Sequence, residues 1–231
     1  MTTDAADGRL RLRTPFDLHD GPPILPLISP RESDRIAEVF QALSAAGVVA
    51  VEVTLRHAGA IEALRRAAAS APPGMIVGVG TVRTISQIDE AVAAGAAFVV
   101  SPGFDERLAA RAAERHVPYV PGVATPTEVM AAAGLGLNVL KFFPAETMGG
   151  AAALSALVEP FPDIAFIPTG GIGEANLARY LALPNVWCCG GSWIAPPAEL
   201  TRGEVSAIAV RVDHARAIAT SIEVERANRP R

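Results

Sequence analysis

Asn138-Val139-Leu140-Lys141-Phe142-Phe143-Pro144-Ala145 holds a short strand, 139–143, with no polar alternation, apolar on both faces apart from one lysine. A strand of that kind belongs in a parallel sheet covered by helices, because only there are both faces out of water. The lysine is singular. Of the 20 Lys plus Arg residues, Lys141 is the only lysine, and the remaining cations are all arginine. Guanidinium cannot give up its proton and attack a carbonyl, whereas a desolvated amine can. The competing reading is structural: a lysine at a strand end with its stem packed and its head in water.

Working outward, the same kind of run recurs. Residues 24–28, 48–53, 75–79, 97–100, 117–120, 139–143, 164–167 and 186–189 make eight strand candidates, each followed by a helical pattern. Residues 34–46 carry Ile36, Val39, Phe40 and Leu43 at the spacing of one helical face. Leu154, Leu157 and Val158 mark a second face, and Leu177, Tyr180 and Leu181 a third. Thr84-Ile85-Ser86-Gln87 and Thr125-Pro126-Thr127-Glu128 fit capping boxes, the second with proline at the first helical position. Gly47, Gly95 and Gly136 supply stops.

Eight strand–helix units in about 200 residues predict a closed (β/α)8 barrel, α/β in class, rather than an open doubly wound sheet. The expected domain is residues 23–225, preceded by a polar lead-in (1–22) and followed by a short tail (226–231). Proline removes a ladder donor, so Pro118 is expected to start its strand and Pro168 to end its own. Pro26, inside the first strand, has no such explanation.

Composition narrows the function. Half the residues are hydrophobic, 19% are charged, and the formal net charge is −4. Arg9, Arg11 and Arg13 are the one basic cluster, which argues against nucleic acid as a partner. No run reaches the ~18 apolar residues of a membrane span, and the N-terminal residues hold no apolar signal-peptide core, so a cytoplasmic protein is expected. Cys188 and Cys189 read as core thiols in a reducing compartment.

In a barrel of this type the reactive groups collect at the C-terminal strand ends. Those ends carry Glu52, Thr54 and Arg56; Gly80 and Thr81; Ser101-Pro102-Gly103; Lys141; Thr169-Gly170-Gly171; and Gly190-Gly191-Ser192. Glu52 fits a general acid/base, its alternative being an ion pair with a helix arginine. Arg56 can fork two hydrogen bonds onto a carboxylate, or cap the next loop. His57 reads as a loop residue. The glycine pairs after strands seven and eight suit an anion held by backbone N–H groups and a helix N-terminus, with Thr169 and Ser192 as hydroxyl donors. No His/Asp/Glu spacing suggests a metal.

Six motifs then occur in one order: Glu52-Val53-Thr54-Leu55-Arg56, Gly78-Val79-Gly80-Thr81, Ser101-Pro102-Gly103, Lys141-Phe142-Phe143-Pro144-Ala145-Glu146, Pro168-Thr169-Gly170-Gly171-Ile172 and Gly190-Gly191-Ser192-Trp193. From about residue 24 to 215 the chain resembles the class I 2-keto-3-deoxy-6-phosphogluconate (KDPG) and 4-hydroxy-2-oxoglutarate (KHG) aldolases. The resemblance implies Lys141 as the Schiff-base lysine, Glu52 as acid/base, and Arg56 with Thr81 as holders of the keto-acid carboxylate. It places Thr169, Gly170, Gly171, Gly190, Gly191 and Ser192 around the phosphate end. It also implies a keto-acid substrate, no metal or other cofactor, and a homotrimer. Two departures, Ala124 in place of serine and Thr147-Met148 in place of Ala-Asn, bear on substrate preference. Alternative readings are an aldolase for an unphosphorylated or galactonate-type keto acid, a sugar-phosphate isomerase or epimerase, and a catalytically silent barrel that binds a phosphometabolite.

Overall fold

A computed structural model describes residues 21–29, 35–202 and 204–227. The chain enters as β1 (Ile24–Ile28) and α1 (Ile36–Ala45), then β2 (Ala50–Thr54), α2 (Ala60–Ser70), β3 (Ile76–Gly80) and α3 (Ile85–Ala93). It continues through β4 (Val99–Val100), α4 (Glu106–Glu114), β5 (Tyr119–Val120), β6 (Gly122–Val123) and α5 (Pro126–Gly134). The rest of the circuit is β7 (Val139–Phe142), α6 (Gly150–Ala156), β8 (Ala165–Pro168), α7 (Glu174–Leu181), β9 (Cys189–Gly191), α8 (Pro197–Arg202) and α9 (Ser206–Ala227).

Every strand pair is parallel. One ladder runs β5-β4-β3-β2-β1-β9 and another β6-β7-β8. Two joints close them into a barrel. β5 and β6 are consecutive pieces of one strand on either side of Pro121, and the β8 edge is joined to the segment that leads into and forms β9 by the isolated bridges Phe166↔Val186 and Thr169↔Gly190. The eight expected strands are therefore present, the fifth of them split. The eighth is displaced, because its regular ladder covers Cys189–Gly191 rather than 186–189. Trp187 still donates its N–H to the Phe166 carbonyl (3.0 Å), so the earlier residues are bonded without forming a ladder.

The prolines fit their places. Pro118 precedes β5 and gives only its carbonyl, to the Val99 N–H, and Pro168 is the last residue of β8. Pro26 sits where β1 is registered against β9, while pairing with β2 begins one residue later, at Leu27↔Glu52. The β1–β2 ladder thus starts beyond the residue that has no donor. Both expected capping boxes form, at Thr84/Gln87 and Thr125/Glu128. Gly47, Gly95 and Gly136 take φ of 82°, 96° and 77° just past their helices, where a side chain would be strained. The last helix extends to Ala227, so the expected tail boundary at 226 falls inside it. The remaining lead-in (1–20) and residues 228–231 lie outside the described residues, as do the first residue of the expected 34–46 helix and the three N-terminal arginines.

The core has two compartments. The larger lies between strands and helices and includes Phe40, Leu43, Leu64, Ile88, Phe142, Phe166, Leu177 and Tyr180, with α9 packed against α1 and α7. The smaller consists of Leu25, Ala50, Phe98, Val100, Val120, Val139, Ile167 and Cys188, a set drawn from the strands and the residues leading into them, and it fills the barrel. Cys188 and Cys189 are free and buried, and burial pushes both thiols up. They pack in the core. Among the described residues no helix is long and apolar enough to cross a membrane.

Candidate active site

Side chains along a strand alternate faces with period two, and this carries the interior packing upward into a site. Ala50, Val139, Ile167, Leu25 and Val100 fill the barrel. Two residues on, toward the C-terminal end, stand Glu52, Lys141, Thr169, Leu27 and Pro102. The site is thus the next layer of the barrel stack.

Its floor is the Lys141–Glu52 pair. The Lys141 ammonium nitrogen donates to Glu52 Oε1 at 3.2 Å and to Oε2 at 3.4 Å, with the residues 3% and 1% exposed. β7 and β2 deliver them from across the barrel. Nζ also lies 5.5 Å from the centroid of the Phe143 ring. Burial on this scale is incompatible with a snorkelling lysine. Above the pair opens a cavity of about 410 Å³ lined by Leu27, Arg56, Thr81, Pro102, Lys141, Phe143, Thr169, Gly170, Gly171, Ile172, Gly191 and Ser192.

On the β2–β3 side, Arg56 Nε donates to Thr81 Oγ1 at 3.4 Å. Thr81 adopts φ of 63°, a genuine outlier for a β-branched residue and the kind of strain that clusters at working sites. On the β8–β9 side, Gly170 (φ 102°) and Gly171 (φ 80°) form the turn after β8, immediately before α7. Opposite them, Ser101 Oγ donates to the Gly103 carbonyl (2.6 Å) and accepts from Tyr119 OH (2.6 Å), which fixes the turn that presents Pro102. Burial raises the Tyr119 phenol to about 12, so it remains a donor.

Of the ten residues given roles, eight line the cavity and two do not, and of the other strand-end residues Thr54, Gly80, Ser101 and Gly103 stay outside the lining. Glu52 lies beneath the cavity rather than on its lining. Gly190 does not line it either: it is buried, and a Cβ there would approach Thr169 Oγ1 to 2.3 Å, so its smallness makes room for Thr169. His57 stays outside the cavity. Pro102, named among the strand-end residues, joins the lining, as do Phe143 and Ile172, which the motifs contained without a role, and Leu27, which was not singled out. The period-two relation to Leu25 would have found Leu27; Phe143 and Ile172 depend on loop geometry.

Gly80 ties fold to chemistry. A Cβ at this position would stand 1.9 Å from Glu52 Oε1. It would also meet Glu52 Cδ at 2.5 Å and Cγ at 2.6 Å, so the whole side chain must shift, and Gly80→Ala is expected to lose about 3–5 kcal/mol, the range for breaking a buried ion pair. Its Glu52 would be driven off Lys141. Turnover should then fall by far more than stability, and parallel urea denaturation and rate measurements check the contrast.

Fold and floor together define an α/β-barrel enzyme with a buried amine–carboxylate pair under a cavity at the C-terminal strand ends. The family model for "KDPG and KHG aldolase" matches residues 18–211, and the chain belongs to that family. It is 44% identical over 186 residues to the KHG/KDPG aldolase of Escherichia coli (strain K12), covering 80% of this chain and 87% of that one. With the 2-dehydro-3-deoxy-phosphogluconate aldolase of Pseudomonas aeruginosa it shares 47% identity over 182 residues, 78% and 82% of the two chains. Among solved structures it resembles the KDPG aldolase of Legionella pneumophila with pyruvate captured at low pH as a covalent carbinolamine intermediate. That match has a TM-score of 0.80 and 39% identity, over 86% and 94% of the chains.

Proposed function

We propose that the protein is a class I aldolase that cleaves 2-keto-3-deoxy-6-phosphogluconate to pyruvate and glyceraldehyde 3-phosphate. By the same chemistry it would split 4-hydroxy-2-oxoglutarate to pyruvate and glyoxylate. The observation that carries this reading is the buried amine of Lys141, 3.2 Å from the Glu52 carboxylate at the floor of an open cavity. The aldolases it resembles and the pyruvate carbinolamine trapped in the Legionella relative support it.

The chemistry starts at the amine. The Lys141 ammonium passes a proton to Glu52, the freed amine adds to the C2 ketone, and that proton leaves with the carbinolamine hydroxyl as water, giving an iminium and a Glu52 carboxylate. That cation accepts the electron pair of the C3–C4 bond once the C4 hydroxyl has given its proton to Glu52, directly or through a water. The aldehyde leaves, an enamine remains, and the proton returned to its C3 gives the pyruvate iminium, which water hydrolyses. Arg56, held against Thr81, takes the substrate carboxylate as a bidentate donor. Thr169, Gly170, Gly171, Gly191 and Ser192 surround the phosphate end, with Gly190 beneath them as the spacer for Thr169. The family resemblance implies a homotrimer, and the N-terminal sequence is the ground for placing it in the cytoplasm.

A second reading has one observation in its favour. The lining contributed by the β8–β9 side consists of backbone, hydroxyl and apolar groups with no charged side chain, a surface that also tolerates a short unphosphorylated keto acid. Coupled assays of pyruvate release from both substrates separate the two. The proposal expects kcat/KM to be higher with the phosphate, and a clear preference for the unphosphorylated acid would favour the second reading.

A further inference from the structure

We propose that Asn176 and Tyr180, one turn apart on α7, are positioning residues that hold the 169–173 loop in shape for the substrate's phosphate, Tyr180 acting through Glu146. The inference rests on the aldolase reading above and adds which residues outside the cavity set its phosphate end.

The loop needs such support. Two successive glycines at positive φ are conformationally loose, and a cradle of backbone N–H groups binds an anion well only if they converge before it arrives. Asn176 straddles the turn. Its Nδ2 donates to the Gly171 carbonyl at 2.9 Å, and its Oδ1 accepts the Gly173 N–H at 2.9 Å. One side-chain amide therefore fixes the turn on both sides of Ile172, and Ile172 and Gly171 both line the cavity.

Glu146 supports the loop from behind. Its N–H donates to the Gly170 carbonyl at 3.1 Å, and its stem lies so close that a Cβ on Gly171 would meet Cγ at 2.7 Å. The carboxylate is held in turn by the hydroxyl of Tyr180, which donates to Oε1, while Arg179 lies 3.9 Å from Oε2. Tyr180 is fully buried; burial first, then the facing Glu146, raises its phenol and keeps it a donor. Gly150 leaves room for this pair, since a Cβ there would lie 3.3 Å from both Glu146 Oε1 and Tyr180 OH. Residues at i and i+4 share a helix face, so one face of α7 grips the loop directly and through Glu146. Neither Asn176 nor Tyr180 lines the cavity, and their effect must pass through the loop.

The test is a substrate split. Asn176→Ala and Tyr180→Phe would be assayed for pyruvate release from phosphorylated 2-keto-3-deoxygluconate and from 4-hydroxy-2-oxoglutarate, with melting curves and pyruvate–borohydride mass shifts alongside. The expected result is a KM for the phosphorylated substrate raised about tenfold, with kcat within about twofold, as the loss of a loop-fixing hydrogen bond allows. The unphosphorylated substrate should change less than about twofold, and the lysine adduct should form as in the parent protein. An unchanged KM, or an equal loss on both substrates, overturns the proposal. Should Asn176→Ala fail to fold, Tyr180→Phe, which removes one oxygen, carries the same expectation and is overturned by the same results. A parent protein inert toward both substrates and without a pyruvate adduct would sink the aldolase reading and this inference together, whereas an active parent with equally impaired variants sinks this inference alone.

Discussion

Lys141→Ala and Lys141→Arg are expected to release no pyruvate above background and to take up no pyruvate-derived mass on borohydride reduction. Removal of a covalent nucleophile costs on the order of 10⁴–10⁶-fold in rate, and this chain has no second lysine to substitute. The arginine variant is the sharper of the two. It keeps a cation beside Glu52, so the buried carboxylate retains a partner, while the guanidinium cannot add to a ketone. The alanine variant leaves Glu52 buried without its partner, a change that typically costs about 3–5 kcal/mol, so its activity loss has to be read beside a melting curve. Near-normal turnover by a folded Lys141→Arg protein would end the Schiff-base reading, whatever the family resemblance.

Glu52→Gln should separate two halves of the reaction. The amide occupies the same volume and still accepts a hydrogen bond from Lys141, so the cavity floor persists. It cannot take the C4 hydroxyl proton. Turnover is expected to fall about 10²–10⁴-fold, the range for loss of a general base, while pyruvate with borohydride still labels Lys141. Intact-protein mass and initial rates on the same preparation give both readouts. A variant that loses labelling and turnover together would show that Glu52 serves mainly to hold the amine, and one that keeps near-normal turnover would remove it from the mechanism.

These two positions also mark how far the sequence reaches. The continuously apolar runs, the capping residues at Thr84 and Thr125 and the stops at Gly47, Gly95 and Gly136 are local, because each depends on residues within a turn or a strand pair of itself. Strand number and order follow from them, as does the singular status of Lys141. The split of the fifth strand at Pro121 and the shift of the eighth to Cys189–Gly191 are not legible there. Both depend on which neighbour a strand meets at barrel closure, a property of register rather than of composition. The short helix α8 is likewise invisible, having too few residues for a periodic signal.

At the site the division is similar. The chain alone determines that one amine lies in an apolar strand, that a carboxylate lies in another, and that a glycine pair follows the seventh strand; the second pair, expected after the eighth, lies inside it. Period two then settles which residues share a face. It does not say which faces oppose one another. Only closure of the barrel brings Nζ of Lys141 to Oε1 of Glu52, 89 residues away in sequence. Closure also makes Gly80 the space for that carboxylate, turns Gly190 under Thr169 rather than into the cavity, and sets Asn176 and Tyr180 behind the 169–173 loop. The physical reason is that a strand's own residues fix its alternation, whereas tilt and stagger around a closed sheet fix what each inward side chain meets.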